Sequence, residues 1–364
     1  MNYKHIALGC LVALPTVAFA QSVTLYGVVD TGVDYVNHVG AAQNSVVREP
    51  SLTGMVPSRW GLRGSEDLGG GLTAKFALES GFSTDSGSLM YGNRLFGRQA
   101  WVGLSGPWGE VAFGRQYTMM FWALLDSDLM GPSAFGSAAL DYTIPNSRAD
   151  NAVSYRGKFG GLTVGGTYSF GRDAAVAPPS PSSANCAGET AGDARACREW
   201  SALLMYEASG FGVAAVYEST RGGPGAFGGL TSSAKSDNRL SLSGYWLISD
   251  GAKAGAGWLR HNNDGMPATP RSDLFWTYLS YDITPAFNLA GQVYYQKYRN
   301  SDNKAWLYVM RGTYSFTKRT AVYATAGFVD NGGQLAQSVS ANPGAPAAPG
   351  GTQLGAMIGI RHTF

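Results

Sequence analysis

Residues 57–80 read PSRWGLRGSEDLGGGLTAKFALES. Two runs alternate apolar with polar residues, and a tight Asp67-Leu68-Gly69-Gly70-Gly71 turn joins them. Such alternation is what a half-buried β-strand needs, because successive side chains point to opposite faces. Trp60 and Leu62 share one face of the first run, and Phe76 and Leu78 share one face of the second. Arg59, Arg63, Lys75 and Glu79 take the opposite faces. A single hairpin is therefore apolar on one side and charged on the other, and the fold must accommodate both.

The same scheme recurs along the chain. The first run, SVTLYGVVDTGVDYV, sets Val23, Leu25, Val29, Val33 and Tyr35 against Thr24, Tyr26, Asp30 and Asp34. FNLAGQVYYQK separates Leu289, Val293 and Tyr295 from Asn288, Gln292 and Gln296. The last, TQLGAMIGIRHTF, sets Leu354, Ala356, Ile358, Ile360, His362 and Phe364 against Gln353, Arg361 and Thr363. Such runs lie near 22–36, 55–66, 71–82, 94–105, 109–117, 147–157, 162–170 and 199–208. Others lie near 212–219, 238–248, 252–261, 272–283, 287–299, 304–315, 320–328 and 352–364, which makes sixteen. The run 304–315 is apolar on both faces, so its orientation stays open.

The connections alternate in length. Short turns such as Gly106-Pro107-Trp108, Lys158-Phe159-Gly160-Gly161 and Thr284-Pro285-Ala286-Phe287 are rich in glycine and aromatic residues. Long segments such as 118–146, 171–198, 220–237 and 329–351 carry Pro, Ser, Asn and Gly. Short turns at one end and long loops at the other are the layout of outer-membrane barrels, and an even strand count returns both termini to the short-turn end. A closed barrel also removes the unpaired edges that so many strands would leave. Alternation alone does not separate this from a soluble barrel or sandwich whose apolar face points inward.

Composition narrows the choice. Only 14% of residues are charged, while 12% are aromatic and 50 are glycine, which suits strands facing something less polar than water. The opening MNYKHIALGCLVALPTVAFA has a basic start, an apolar run and a small-x-small end, Ala18-Phe19-Ala20. It reads as a secretory signal peptide over 1–20, with the barrel from 21 to 364. A lipoprotein cut at Cys10 fits less well, because no large aliphatic residue stands three places before it. Without Lys4, 26 basic residues balance 25 acidic ones, which argues against nucleic-acid binding. No run of ~18 apolar residues follows the signal, so no transmembrane helix is available. Cys186 and Cys197, in NCAGETAGDARAC, are expected to close a small exported loop by a disulfide, with two free thiols as the alternative. No histidine stands near them, and no metal or cofactor is implied.

At this point a family likeness enters. LYGVVDTG, SRWGLRGSEDLGGGL, RQAWVGL, EVAFGRQY and the ending GIRHTF resemble the general trimeric porins of Gram-negative outer membranes, nearest their β-proteobacterial branch. The likeness covers the first third and the C-terminus, and the middle only by pattern. It implies an all-β, sixteen-stranded antiparallel barrel, three per assembly, whose third long loop (118–146) folds into the lumen. It also implies diffusion of small hydrophilic solutes, and lipid and lipopolysaccharide as neighbours. The terminal Phe364 resembles the signal read by the barrel assembly machinery.

A porin biases ion flow with fixed charges at close quarters. Matched by motif, Arg59 and Arg98 correspond to wall arginines of the family's constriction. Arg148, eight residues before Arg156 in RADNAVSYR, corresponds to a third, and Arg63 follows on the Arg59 face. Asp126, Asp128 and Asp141 of the third loop are the expected acidic counterparts. Lys75, Glu79, Tyr26 and Asp30 are expected to line the pore. Ala134, in Gly131-Pro132-Ser133-Ala134-Phe135-Gly136, stands where enteric porins carry a glutamate, so one acid is missing. The run Met119-Met120-Phe121-Trp122-Ala123-Leu124-Leu125 would hold the loop against the inner wall. Four basic against about two or three acidic groups suggest a mild preference for anions. Two other classes need separate features. A barrel enzyme would need a positioned nucleophile beside His38, His261 or His362, and none adjoins a nucleophile motif. A sugar- or organic-anion-specific channel would use a luminal aromatic ladder, for which Tyr26 and Tyr294 are candidates.

Overall fold

The computed structural model describes residues 22–364 except 53, 142, 143, 145, 146, 174–185 and 227. The expected signal peptide over 1–20 lies outside the described residues. Among the described residues, sixteen strands form the wall: β1 Ser22–Val39, β2 Arg59–Gly69, β3 Leu72–Gly81, β4 Gln99–Gly106, β5 Gly109–Tyr117, β6 Ala152–Phe159, β7 Leu162–Ser169 and β8 Glu199–Ala208. They continue as β9 Phe211–Arg221, β10 Ser236–Ser249, β11 Ala252–Asn263, β12 Arg271–Thr284, β13 Phe287–Tyr298, β14 Lys304–Ser315, β15 Thr320–Gly332 and β16 Thr352–Thr363. Two short strands, Asn44–Arg48 and Arg148–Ala149, extend the wall at the long-loop end.

Each strand pairs antiparallel with its neighbours, and β1 closes the ring on β16 from Val28↔Thr363 to Val36↔Gly355. Gly27 and Phe364 exchange backbone hydrogen bonds of 3.0 Å in both directions at the end of this seam. The turn between β2 and β3 has Gly69, Gly70 and Gly71 all at positive φ, a conformation that costs glycine little. The Asp67 carboxylate accepts from the Gly69 amide at 2.9 Å and pins it.

The alternation resolves in favour of a membrane wall. Ile358 is 72% exposed and Leu25 59%, whereas Gln353 and Asp30 on the opposite faces are fully buried. A soluble barrel would reverse these faces; here the apolar residues point outward and the polar ones into the lumen. Aromatic rings form a chain along the outer surface near the long loops: Phe275–Tyr295, Tyr295–Trp306, Trp306–Tyr308 and Tyr308–Phe328, with centroids 4.4–6.5 Å apart. Trp246, Tyr281, Tyr314 and Phe316 make a second exposed belt near the short turns.

The apolar core lies inside the barrel, between the third loop and the wall. The loop begins with helix α1, Met119–Leu124, which buries Met119, Met120, Ala123 and Leu124 against β8, β9 and β10. Leu125, the last of that apolar run, is exposed instead. Farther along, Phe135 packs on a flat patch of β15 and β16. A Cβ built on Gly327 or Gly355 would come within 2.8 or 2.6 Å of its ring, so glycine is what admits the ring there. Cys186 and Cys197 form the expected disulfide in the loop between β7 and β8.

Candidate functional site at the lumen constriction

Arg59 opens β2, Glu79 lies near the end of β3, and Arg98 stands one residue before β4. The register places Glu79 opposite Gly61 and Gln99, which brings the three side chains together on the inner wall. Arg98 Nε donates to Glu79 Oε1 at 2.7 Å, and Arg59 Nε lies 3.5 Å from Oε2. The Tyr26 hydroxyl donates to Oε2 at 3.0 Å. The two terminal nitrogens of Arg98 donate to the hydroxyls of Tyr91 (2.6 Å) and Tyr117 (2.7 Å). Arg148 donates to the same Tyr117 hydroxyl at 3.0 Å and lies 4.4 and 4.8 Å from the Tyr117 and Tyr91 ring centroids. Three guanidiniums thus gather round one carboxylate and two phenols. The aromatic faces suit this, since a ring quadrupole attracts a cation without neutralising it.

The members differ in access. The Arg59 side chain is 28% exposed and that of Arg98 only 5%, so Arg59 is the more accessible of the two. Arg63, one strand repeat away, is exposed, with its guanidinium 5.1 Å from the Tyr26 ring centroid. Lys75 pairs with Glu110 at 3.1 Å. Tyr26, Arg63 and Lys75 line a recess of about 350 Å³.

The expected acids stand elsewhere. Asp126 is exposed and accepts from Lys253 Nζ at 2.8 Å. Asp141 is held by Arg239, whose Nε donates to Oδ2 at 3.2 Å, and His261 Nδ1 lies 3.8 Å from the same oxygen. Arg239 also donates to Asp237 at 2.7 Å. Asp128 is corrected from lumen charge to buried anchor. It accepts from Ser137 and Tyr294 hydroxyls at 2.6 Å each and from Gln292 Nε2 at 2.9 Å. Burial pushes its carboxyl above the usual aspartate range, against the pull of those donors. Asp30, expected to line the pore, is likewise covered. Its carboxylate accepts from the Val56 amide at 3.1 Å and the Tyr323 hydroxyl at 2.6 Å, fixing the first long loop to the wall.

Ala134 explains the missing acid. It is fully buried, and its carbonyl accepts from the Ala341 amide at 2.8 Å, so the last long loop covers the position. A carboxylate there would be stripped of water with no partner.

A family model described as "Gram-negative porin" matches residues 7–334. The chain belongs to the Gram-negative porin family. An outer membrane porin protein of Bordetella pertussis is 41% identical over 165 residues, which cover 41% of this chain and 43% of that one. Outer membrane porin protein 32 of Delftia acidovorans is 40% identical over 182 residues, 47% of this chain and 50% of that one. The porin thus spans about half the length of the curated relatives it matches. Among solved structures, an anion-selective porin from Comamonas acidovorans superposes with a TM-score of 0.75 at 25% identity, covering 95% of this chain and 100% of that one. The family and the barrel place this porin in the Gram-negative outer membrane.

Sequence reasoning missed the partners that organise these charges. Tyr91 sits at positive φ in the loop before β4, where no period exists to read. Tyr117 lies beyond Gly114, whose φ of 122° interrupts the alternation of β5. Arg239 and Lys253 are ordinary inward positions on β10 and β11, and only the docked loop gives them acids to hold. Tyr294 is fully buried on Asp128, so it does not contribute to a luminal aromatic ladder with Tyr26.

Proposed function

We propose that this porin is an outer-membrane diffusion channel for small hydrophilic solutes that favours anions, assembled as a homotrimer among lipid and lipopolysaccharide. One observation carries the selectivity. Arg59 and Arg98 share the carboxylate of Glu79, with Arg148 beside them on Tyr117 and Tyr91, whereas each acid of the third loop is held by a partner of its own. Fixed surplus charge at a narrow, wet passage raises the local concentration of the opposite ion. The similarity to a porin described as anion-selective supports the same sign. The exposed Phe364 ring at the closing seam is the proposed contact for the barrel assembly machinery. No catalytic role is proposed: His38 contacts the Thr352 carbonyl, His261 the aspartates of β10 and the loop, and His362 the Thr320 hydroxyl.

The test is conductance in a planar bilayer under a potassium chloride gradient. Ohmic steps with a reversal potential of the sign set by chloride are expected. An absence of steps would sink the channel, and a potential of the potassium sign would sink the anion preference.

A further inference from the structure

We infer that the inner wall of β1–β6, between the Glu79 cluster and the short turns, binds aromatic carboxylates, the ring beside Trp101 and Trp122 and the carboxylate on Arg156. The inference rests on the channel reading and deepens it by naming one class of solute, and it uses none of Arg59, Arg98 and Arg148. Beside the recess of about 350 Å³ under Tyr26, Arg63 and Lys75 lies a second of about 190 Å³, lined by Trp122 and Arg156. Gln99 and Trp101 line both, so the two form one groove along the wall. The Trp101 indole N–H donates to Gln99 Oε1 at 3.0 Å, which holds the ring at the junction. Arg63 follows Arg59 on β2 toward the Gly69-Gly70-Gly71 turn, and Arg156 pairs in register with Glu110, next to the turn that opens β5. The groove therefore begins where the Glu79 cluster ends and runs toward the short turns.

The groove has more cations than acids. Arg63, Lys75 and Arg156 line it, and Glu110 is its one acidic lining residue among those described. Lys75 takes Glu110 at 3.1 Å. Among the described residues, Arg63 and Arg156 have no side-chain hydrogen bond and no ion pair; they lie on aromatic rings instead. The Arg156 guanidinium is 3.7 Å from the Trp122 ring centroid, and that of Arg63 is 5.1 Å from the Tyr26 centroid. A ring face attracts a guanidinium without using its N–H donors, so the planar fork of Arg156 stays free for a carboxylate. Phe121 and Tyr117 stand T-shaped to Trp122 at 5.4 and 6.0 Å and fix its position on α1. Trp101 and Trp122 are each only partly buried, and both leave surface in the recess beside that fork. A wall for water and inorganic ions needs no indoles. A free fork next to flat apolar surface is complementary to an acid with a ring; an aliphatic acid would gain only the fork.

The test titrates detergent-solubilised porin with benzoate and with cyclohexanecarboxylate, matched in charge and carbon count, by ligand-observed NMR at fixed ionic strength. Benzoate is expected to bind roughly tenfold more tightly, the advantage that contacts between aromatic rings supply. Trp101→Leu is expected to bring the two acids within about twofold of each other, and Trp101→Phe to keep most of the preference. Arg156→Gln is expected to weaken both acids about tenfold, through the lost charged hydrogen bonds. Arg59→Ser with Arg98→Ser is expected to keep the preference for benzoate, because the indoles lie outside the Glu79 cluster. Equal binding of the two acids by the parent would overturn the inference. So would an intact preference in Trp101→Leu, parental affinity in Arg156→Gln, or a preference lost in the double arginine variant. If Trp101→Leu melts early on gels, Trp122→Leu takes its place with the same result required. A parent that prefers benzoate yet gives no conductance steps would overturn the channel reading and leave the site standing.

Discussion

The two halves of the lumen are built on opposite principles. On the side of β2–β5, guanidiniums crowd round Glu79 and two phenols, and positive charge is left over. On the side of β8–β15, the third loop fills the space. There Asp128 is saturated by donors, Asp141 is held by Arg239, and Met130, Ala134 and Phe135 are fully buried. Paired charge ties the loop into the filled half, and the cluster round Glu79 keeps its surplus beside the open lumen. The arginines can keep their surplus because water and π-faces cost less than the dry burial of an ion. If this division is right, changes in the filled half should act mainly on stability and changes in the open half mainly on ion flow.

Ala134→Glu breaks the filled half most severely. It would bury a carboxylate under Ala341, at a cost of about 3–5 kcal/mol for an unpaired ion. The heat-modifiable band on gels should melt at a markedly lower temperature. A stable variant with new cation preference would show that the position faces the lumen after all. Asp128→Ala comes next. It strands the donors of Ser137, Tyr294 and Gln292, at about 1–3 kcal/mol for each group left unsatisfied. Noisier and larger conductance steps should accompany lower heat stability, because the loop loses two of its hydrogen bonds to β13. Quiet, parental steps would mean that the apolar contacts of α1 suffice to hold it.

These two sites also show where the sequence stops being legible. Period-two alternation is local, so β5, β8 and β14 end where the pattern predicts, at 109–117, 199–208 and 304–315. β2 begins at Arg59, four residues later than residue 55 of the pattern (59 − 55), because Val56 leaves the wall to bond Asp30. Asp30 and Asp128 both looked like pore charges by face or by motif. What decides their fate is a loop folding back from far along the chain, which no alternation reports. The arginines were legible because their motifs lie on regular strands. Their tyrosine partners sit in loop or bulge geometry and were not.

Arg59→Ser with Arg98→Ser tests the open half. Removing two of three clustered charges should lower the chloride-to-potassium permeability ratio on the order of tenfold, since at these separations each charge contributes roughly a kcal/mol even with water present. The reversal potential in a salt gradient reads this directly. A ratio that does not move would mean that Arg63, Lys75 or Arg156 sets selectivity, and that the Glu79 cluster only braces the wall.

The smallest effect is expected from Asp141→Asn, which makes it the sharpest discriminator. Arg239 loses one carboxylate but keeps Asp237 at 2.7 Å, and His261 Nε2 keeps the same residue at 2.9 Å. The local surplus is therefore shared with a remaining acid and screened by luminal ions within about 10 Å at 0.1 M salt. The permeability ratio should rise toward anions by less than about twofold, with the shift vanishing near 1 M salt, where screening acts within about 3 Å. A shift as large as that of the double arginine variant would mean that Asp141 already opposes those arginines across the passage. The two halves would then form one transverse field, not a packed side and a charged one.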